Sequence, residues 1–282
     1  MAKLIQYATK ASQYDGAFDS RVGWSAAGMG YLLITDNGHV VVIDGGFDND
    51  AEELLSLIKR ETGKEKPTVD LWIITHPHGD HYFALRRMAS DNALRSQIAV
   101  MELVCRFPEE YRDAAGNSCK GDILEIQRAA SYFGATIRVP QTDEHLSVGG
   151  LDIHFLYTPE ELSGVHNANQ LSLIFAVTGG HKRAIFTGDA FHNSLNAVTE
   201  RYLNRLHADI LQIPHHGLCD TGHLEFYMQV DAKIVLIPIS IAGDRSMHSD
   251  MYDFESRKAN LFAEENAARV YKAFEGNTEI KI

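Results

Sequence analysis

The apolar run LWIIT, residues 71–75, ends abruptly in His76, His78, Asp80 and His81, three imidazoles and a carboxylate within six positions. A run this apolar and β-branched reads as a buried strand, so the polar cluster must sit just past a strand end. Such a loop can fold a tight set of ligands around a cation, with His76 and His78 on one metal and Asp80 and His81 turned toward a second. A merely solvated histidine-rich loop is the alternative. Imidazole is the commonest metal ligand, and an acidic residue between histidines suits a hydrolytic site, so the metal reading is preferred.

The rest of the chain supplies more strands than one sheet edge needs. YLLITDNGHVVVIDGG reads as a hairpin turning at Asp36, Asn37 and Gly38, and it delivers Asp44 to a Gly-Gly turn. NDAEELLSLIKRETG follows as a helix, with Asn49 and Glu52 in capping-box spacing and Gly63 as its stop. Further strands are expected at 70–75, 98–104, 135–139, 151–157, 171–177, 183–187, 208–213 and 233–239, and helices near 122–133, 194–206 and 258–274. No repeat and no low-complexity linker divides the 282 residues, so one α/β domain over 1–282 is expected.

THPHGDH, residues 75–81, resembles the HxHxDH signature of the metallo-β-lactamase superfamily. That resemblance implies an αββα four-layer sandwich with one or two metals at the strand ends between two mixed sheets. VIDGG resembles the early aspartate motif and places Asp44 behind the ligands as an orienter. IFTGDA resembles the motif whose aspartate bridges two metals, which maps to Asp189. LQIPHHG resembles the later histidine motif, which maps to His216 and leaves His215 as a metal-site or substrate contact, or a structural histidine. The implied metal ligands are therefore His76, His78, Asp80, His81, Asp189 and His216, and the implied catalytic residues are Asp80, His215 and His248.

One departure narrows the resemblance. Most members carry a metal-binding histidine before the strand that leads to the bridging aspartate, and here the stretch reads GVHNANQLSLIFAVTGG. Asn169 and Ser172 fall instead on the pattern of DNA-uptake competence proteins (ComEC type), a subgroup that, like the phosphorylcholine esterases, has a doubled HHG and a further histidine after the next strand. His248 is then the candidate to complete the first metal's shell or touch a leaving group. His166 is either a displaced ligand or a surface histidine.

The ligand set implies two divalent cations, zinc foremost, with manganese or iron as alternatives. A bridging hydroxide would attack a phosphodiester in a small or flexible substrate. Lactone or thioester hydrolysis, or a metal-stabilised binding domain without turnover, are the rival readings. Acidic residues outnumber basic ones by 38 to 26, and a net charge of -12 argues against tight duplex DNA binding. Three cysteines without a CxxC pair, no signal-length apolar run at the N-terminus and no membrane-length segment point to the cytoplasm. Oligomeric state has no signature in the sequence.

Overall fold

Strand-forming runs organise the chain into two sheets of seven strands in a computed structural model, which describes residues 1–18, 27–108, 120–159, 168–218, 224–249 and 254–282. The strands are β1 (Ala2–Gln6), β2 (Gly30–Thr35), β3 (Val40–Asp44), β4 (Thr68–Ile73), β5 (Ala99–Val104), β6 (Thr136–Arg138), β7 (His145–Val148), β8 (Leu151–Tyr157), β9 (Ile174–Gly179), β10 (Lys182–Phe186), β11 (Ile210–Gln212), β12 (Ile234–Ile237), β13 (Arg269–Lys272) and β14 (Thr278–Lys281). The first sheet runs β14-β1-β2-β3-β4-β5-β6 and the second β13-β12-β11-β10-β9-β8-β7. In each, antiparallel pairs give way to parallel ones, at β3-β4 in the first and at β10-β11 in the second.

Helices cover the outer faces: α1 (Ala51–Thr62), α2 (Gly79–Ser90), α3 (Lys120–Phe133), α4 (His192–Tyr202), α5 (Leu224–Val230), α6 (Ile241–Met247) and α7 (Phe254–Asn266). Both faces of the central strands are therefore buried, which is why these strands read as continuous apolar runs rather than alternating ones. Along β2 and β3 the two faces separate cleanly. Tyr31, Leu33, Val41 and Ile43 join Phe155, Phe175 and Phe186 in the core between the sheets, whereas Leu32, Ile34, Val40 and Val42 pack outward against α1 and α2. The expected four-layer αββα arrangement is what forms.

Some local expectations need correction. The capping box at Asn49 and Glu52 does not form; the carboxylate of Asp50 instead accepts the backbone N–H groups of Phe47 and Lys10, at 2.9 and 2.7 Å. The long helix expected over 258–274 ends at Asn266, because residues 269–272 pair in parallel with β12. β13 is a half-exposed edge strand and lacks the apolar run that marks the interior strands. Likewise β1 and β14, which pair with each other across the whole chain length, were not foreseen. Among the described residues, no helix is long and apolar enough to cross a membrane.

What matters for function is where the parallel strands stop. β3 and β4 in one sheet, and β10, β11 and β12 in the other, all run toward the same edge of the sandwich, and β3, β4, β10 and β11 are each followed by a turn that carries polar residues. Asp44 ends β3, the His76–His81 cluster follows β4, Asp189 follows β10, and His215 and His216 follow β11. Ligands from distant sequence positions are thus brought together by two sheets rather than by one loop.

Candidate metal centre

The turn after β4 is shorter than a loop. His78 is the N-cap of α2, so Asp80 and His81 lie in its first turn. This geometry splits the cluster: His76 and His78 precede the helix and face one way, while Asp80 and His81 ride on it. Asp189 lies in the tight turn after β10, where Gly188 adopts φ 53° and a Cβ would meet the Thr75 Cβ at 2.8 Å. Any other residue there would push the Asp189 turn away from His76.

His215 and His216 sit in consecutive left-handed conformations, φ 47° and 57°, followed by Gly217 at 76°. Asp44 is left-handed too, at φ 55°. Non-glycine residues in that region cost about 1–3 kcal/mol each, and here three of them gather at one site. The strain is held by hydrogen bonds: His215 N donates to Gly188 O at 3.1 Å, and Leu218 N to His215 O at 2.9 Å.

These turns bring together two groups of ligand atoms. One atom from each of Asp80, His81, Asp189 and His216 lies within 4.8 Å of all the others, and the same holds for His76, His78 and Asp189. Asp189 belongs to both. Its Oδ1 lies 3.4 Å from His81 Nε2 and 3.7 Å from His216 Nε2, and its Oδ2 lies 3.6 Å from His76 Nε2. His216 Nε2 is also 3.2 Å from Asp80 Oδ2. Donors about 2.0–2.2 Å from a tetrahedral cation are separated by about 3.4 Å, so these spacings suit a shared ion.

The hydrogen-bond pattern supports the same fit. The Nε2 atoms of His76, His81 and His216 and Oδ1 of Asp189 are buried without a hydrogen-bond partner. Leaving four such atoms unsatisfied costs about 1–3 kcal/mol apiece unless a cation takes them up. Their opposite ring nitrogens are all engaged. His81 Nδ1 meets Asp44 Oδ2 at 2.9 Å, His76 Nδ1 meets Thr75 Oγ1 at 3.2 Å, and His216 Nδ1 donates to Pro238 O at 2.6 Å. Asp44 in turn accepts from Thr75 N at 2.8 Å and Thr75 Oγ1 at 2.9 Å. Fixing Nδ1 in this way fixes the tautomer and aims Nε2 at the cluster.

The cluster's own charges divide it electrostatically. Burial pulls the His76 imidazole well below its ordinary range, and His81 adds to this; burial likewise lowers His78 and His215. His81 and His216 are raised instead. Burial opposes their charge, but Asp189, then Asp44 and Asp80 around His81, and Asp189 and Asp80 around His216, outweigh it. Burial alone would raise Asp189, yet His81, His216 and His76 hold its carboxyl well below the usual range. Two anionic carboxylates ringed by imidazoles form a donor set suited to divalent cations.

His215 and Asn169 flank this centre. His215 Nε2 lies 3.9 Å from Asp189 Oδ2 and 3.2 Å from Asn169 Nδ2, and its ring packs edge-on to Phe191. Ser172 Oγ accepts the Asp189 N–H at 3.1 Å, so this stretch braces the centre. The partly exposed members are His78, Asp80 and His215, which puts the opening on their side.

His248 is placed elsewhere. Its Nδ1 contacts the carbonyl of Asp244 at 2.8 Å, its Nε2 lies 3.8 Å from Glu264, and it joins neither ligand group. The expectation that His248 arrives at the centre from the segment after the strand at 233–239 is not met: Ser240 caps α6 there, and its seven residues carry His248 to the far end of that helix. His166 lies outside the described residues.

Three further supports carry no motif of their own in the sequence. Thr75 links Asp44, His76 and His81. Gln212 accepts the N–H groups of Thr187 and Gly188, both at 2.8 Å, and donates to Gly188 O at 3.0 Å, fixing the turn that carries Asp189. The Pro238 carbonyl orients His216. A buried glutamine at the end of a strand, QIPHHG, was the one available signal.

Comparison with known proteins agrees with this geometry. The sequence pattern described as the Metallo-beta-lactamase superfamily matches residues 31–237. Comparison with curated protein sequences gives no match. Among solved structures, the chain is similar to the metallo-beta-lactamase fold protein YhfI from Bacillus subtilis, with 16% identity, TM-score 0.58, and 99% and 100% of the two chains covered. It is similar to Zn(2+)-bound PqqB from Methylobacterium extorquens at 11% identity and TM-score 0.58, with both chains covered in full. It is also similar to Tm1679, described as a metal-dependent hydrolase of the beta-lactamase superfamily, at 13% identity and TM-score 0.55, with 99% of each chain covered. At these identities the likeness speaks for the fold.

Proposed function

The chain belongs to the metallo-beta-lactamase superfamily, and from that premise we propose that it is a metal-dependent hydrolase acting on a phosphodiester. The observation that carries the reading is the division of the Asp189 carboxylate between two ligand groups. His76, His78 and Asp189 would hold one divalent cation, and Asp80, His81, Asp189 and His216 the other. Nitrogen and oxygen donors suit zinc, and the group with two carboxylates also suits manganese or iron. When bound, the pair supplies a water activated at neutral pH and positive charge opposite the oxygens of the scissile group.

The chain's own residues do the rest. Asp44, Thr75 and the Pro238 carbonyl set the imidazoles so that each Nε2 faces inward, and no nucleophilic side chain is required. Asp80, next to the opening with Oδ2 3.2 Å from His216 Nε2, would hold the second cation together with that imidazole and present its carboxylate to the substrate side. A phosphodiester offers two non-bridging oxygens to two cations, whereas a lactone or thioester carbonyl offers one. The pairing of Asn169 with His215, in a stretch that resembles the competence-type subgroup, supports the same substrate class. Long, rigid duplex DNA is a poor fit for a chain of net charge -12.

The test is elemental analysis of chelator-free protein, followed by assay against phosphodiester, lactone and thioester substrates. Two metal equivalents and phosphodiester turnover are expected, with Asp189→Ala losing at least one equivalent. A fully active wild type holding a single equivalent, or turnover confined to carbonyl substrates, would count against the proposal. Fluorescence anisotropy at physiological salt should show weak, salt-sensitive duplex binding; tight binding would argue for a dedicated nuclease.

A further inference from the structure

The two ligand groups are unequal, and His215, which lies outside both groups as they stand, is the neighbour on the side of the shortfall, 3.9 Å from Asp189 Oδ2. One group has four protein donors, but His76, His78 and Asp189 are only three. Asp189 shows how the sides are divided. Its Oδ1 faces His81 and His216, at 3.4 and 3.7 Å, and its Oδ2 faces His76 at 3.6 Å and His215 at 3.9 Å. The tandem histidines therefore fall on opposite oxygens of one carboxylate. Two consecutive left-handed residues produce this arrangement, because a regular strand or helix would not direct neighbouring rings into one pocket from the same turn.

Resting on the dinuclear reading above, we propose that His215 is the fourth protein donor of the first metal, through Nε2. In the structure that atom contacts Asn169 Nδ2 at 3.2 Å. A single imidazole lone pair cannot serve both an amide N–H and a cation, so loading exchanges one contact for the other. Asn169 is then a positioning residue that keeps the ring turned toward Asp189, and the strain of the His215 backbone serves metal binding rather than substrate contact.

The experiment is zinc titration of the chelator-treated, dialysed full-length protein by calorimetry against a competing chelator, with equivalents confirmed by elemental analysis. Wild type should take up two equivalents. His215→Ala, and His215→Gly, which suits the left-handed backbone, should keep the equivalent bound by Asp80, His81, Asp189 and His216. They should lose the other, or bind it about 10- to 100-fold or more weakly. The retained equivalent shows that the variants are folded. Asn169→Ala should keep both. Two equivalents of unchanged affinity in both His215 variants would overturn the proposal, as would loss of the first metal from Asn169→Ala alone. A wild type that never exceeds one equivalent would instead remove the dinuclear reading on which the proposal rests.

Discussion

At the scale of single residues, the centre is organised by what stands behind the ligands. Asp44 is the clearest case, because its carboxylate touches no candidate metal position and yet decides which nitrogen of His81 carries the proton. With the acceptor Asp44 Oδ2 2.9 Å away, Nδ1 keeps a proton, and Nε2 is the nitrogen whose lone pair a cation can take. Asparagine at this position tolerates the left-handed backbone. It can also leave its oxygen for the Thr75 N–H, but that turns an amide donor toward His81. The imidazole then accepts at Nδ1 and protonates Nε2, the tautomer that cannot bind a cation. Asp44→Asn is therefore expected to weaken the metal held by Asp80, His81, Asp189 and His216 about 10- to 100-fold and to spare the other. Competitive zinc titration measures this, and equal affinity at both sites would mean that Asp44 only shapes its turn.

At the scale of elements, strand ends carry the site, and this was the part most legible in the sequence. His76, His78, Asp80, His81, Asp189 and His216 follow apolar runs that could be recognised as buried strands. What stayed illegible had a weaker local signal. β1, β13 and β14 are stabilised by pairing with residues far away or at a sheet edge, so their own composition says little. α6 was hidden because its start depends on the Ser240 hydroxyl accepting from Gly243 N at 2.9 Å, and overlooking it carried His248 into the wrong neighbourhood. Gln212 is equally hard to read from sequence, since its partners belong to β10's turn. Two backbone N–H groups, of Thr187 and Gly188, depend on its buried amide oxygen. Gln212→Met keeps the side chain's length but removes the acceptor, and should destabilise the protein by about 2–5 kcal/mol. A shift in the urea midpoint with unchanged slope would show it. A midpoint equal to wild type would mean that the Asp189 turn is held by other contacts.

At the scale of the whole molecule, the centre spans both sheets. His76, His78, Asp80 and His81 hang from the first, Asp189, His215 and His216 from the second, and a metal bound among them ties the two halves together at one edge. The apolar core between the sheets, from Tyr31 and Ile43 to Phe175 and Phe186, holds them face to face without any cation. Metal removal should consequently leave a folded but weaker protein. The unfolded chain loses the arrangement that gathers these donors, so the cation binds the native state preferentially and stabilises it by mass action. At a free zinc concentration about 100 times the dissociation constant, one site adds about 2.7 kcal/mol. Calorimetric melting of chelator-treated protein should accordingly give a Tm that climbs with added zinc and returns when chelator is restored. The Asp189→Ala variant, with the shared ligand gone, should show a smaller climb. A Tm indifferent to zinc in the wild type would mean that the ligand groups, however close, do not hold the ion between the sheets.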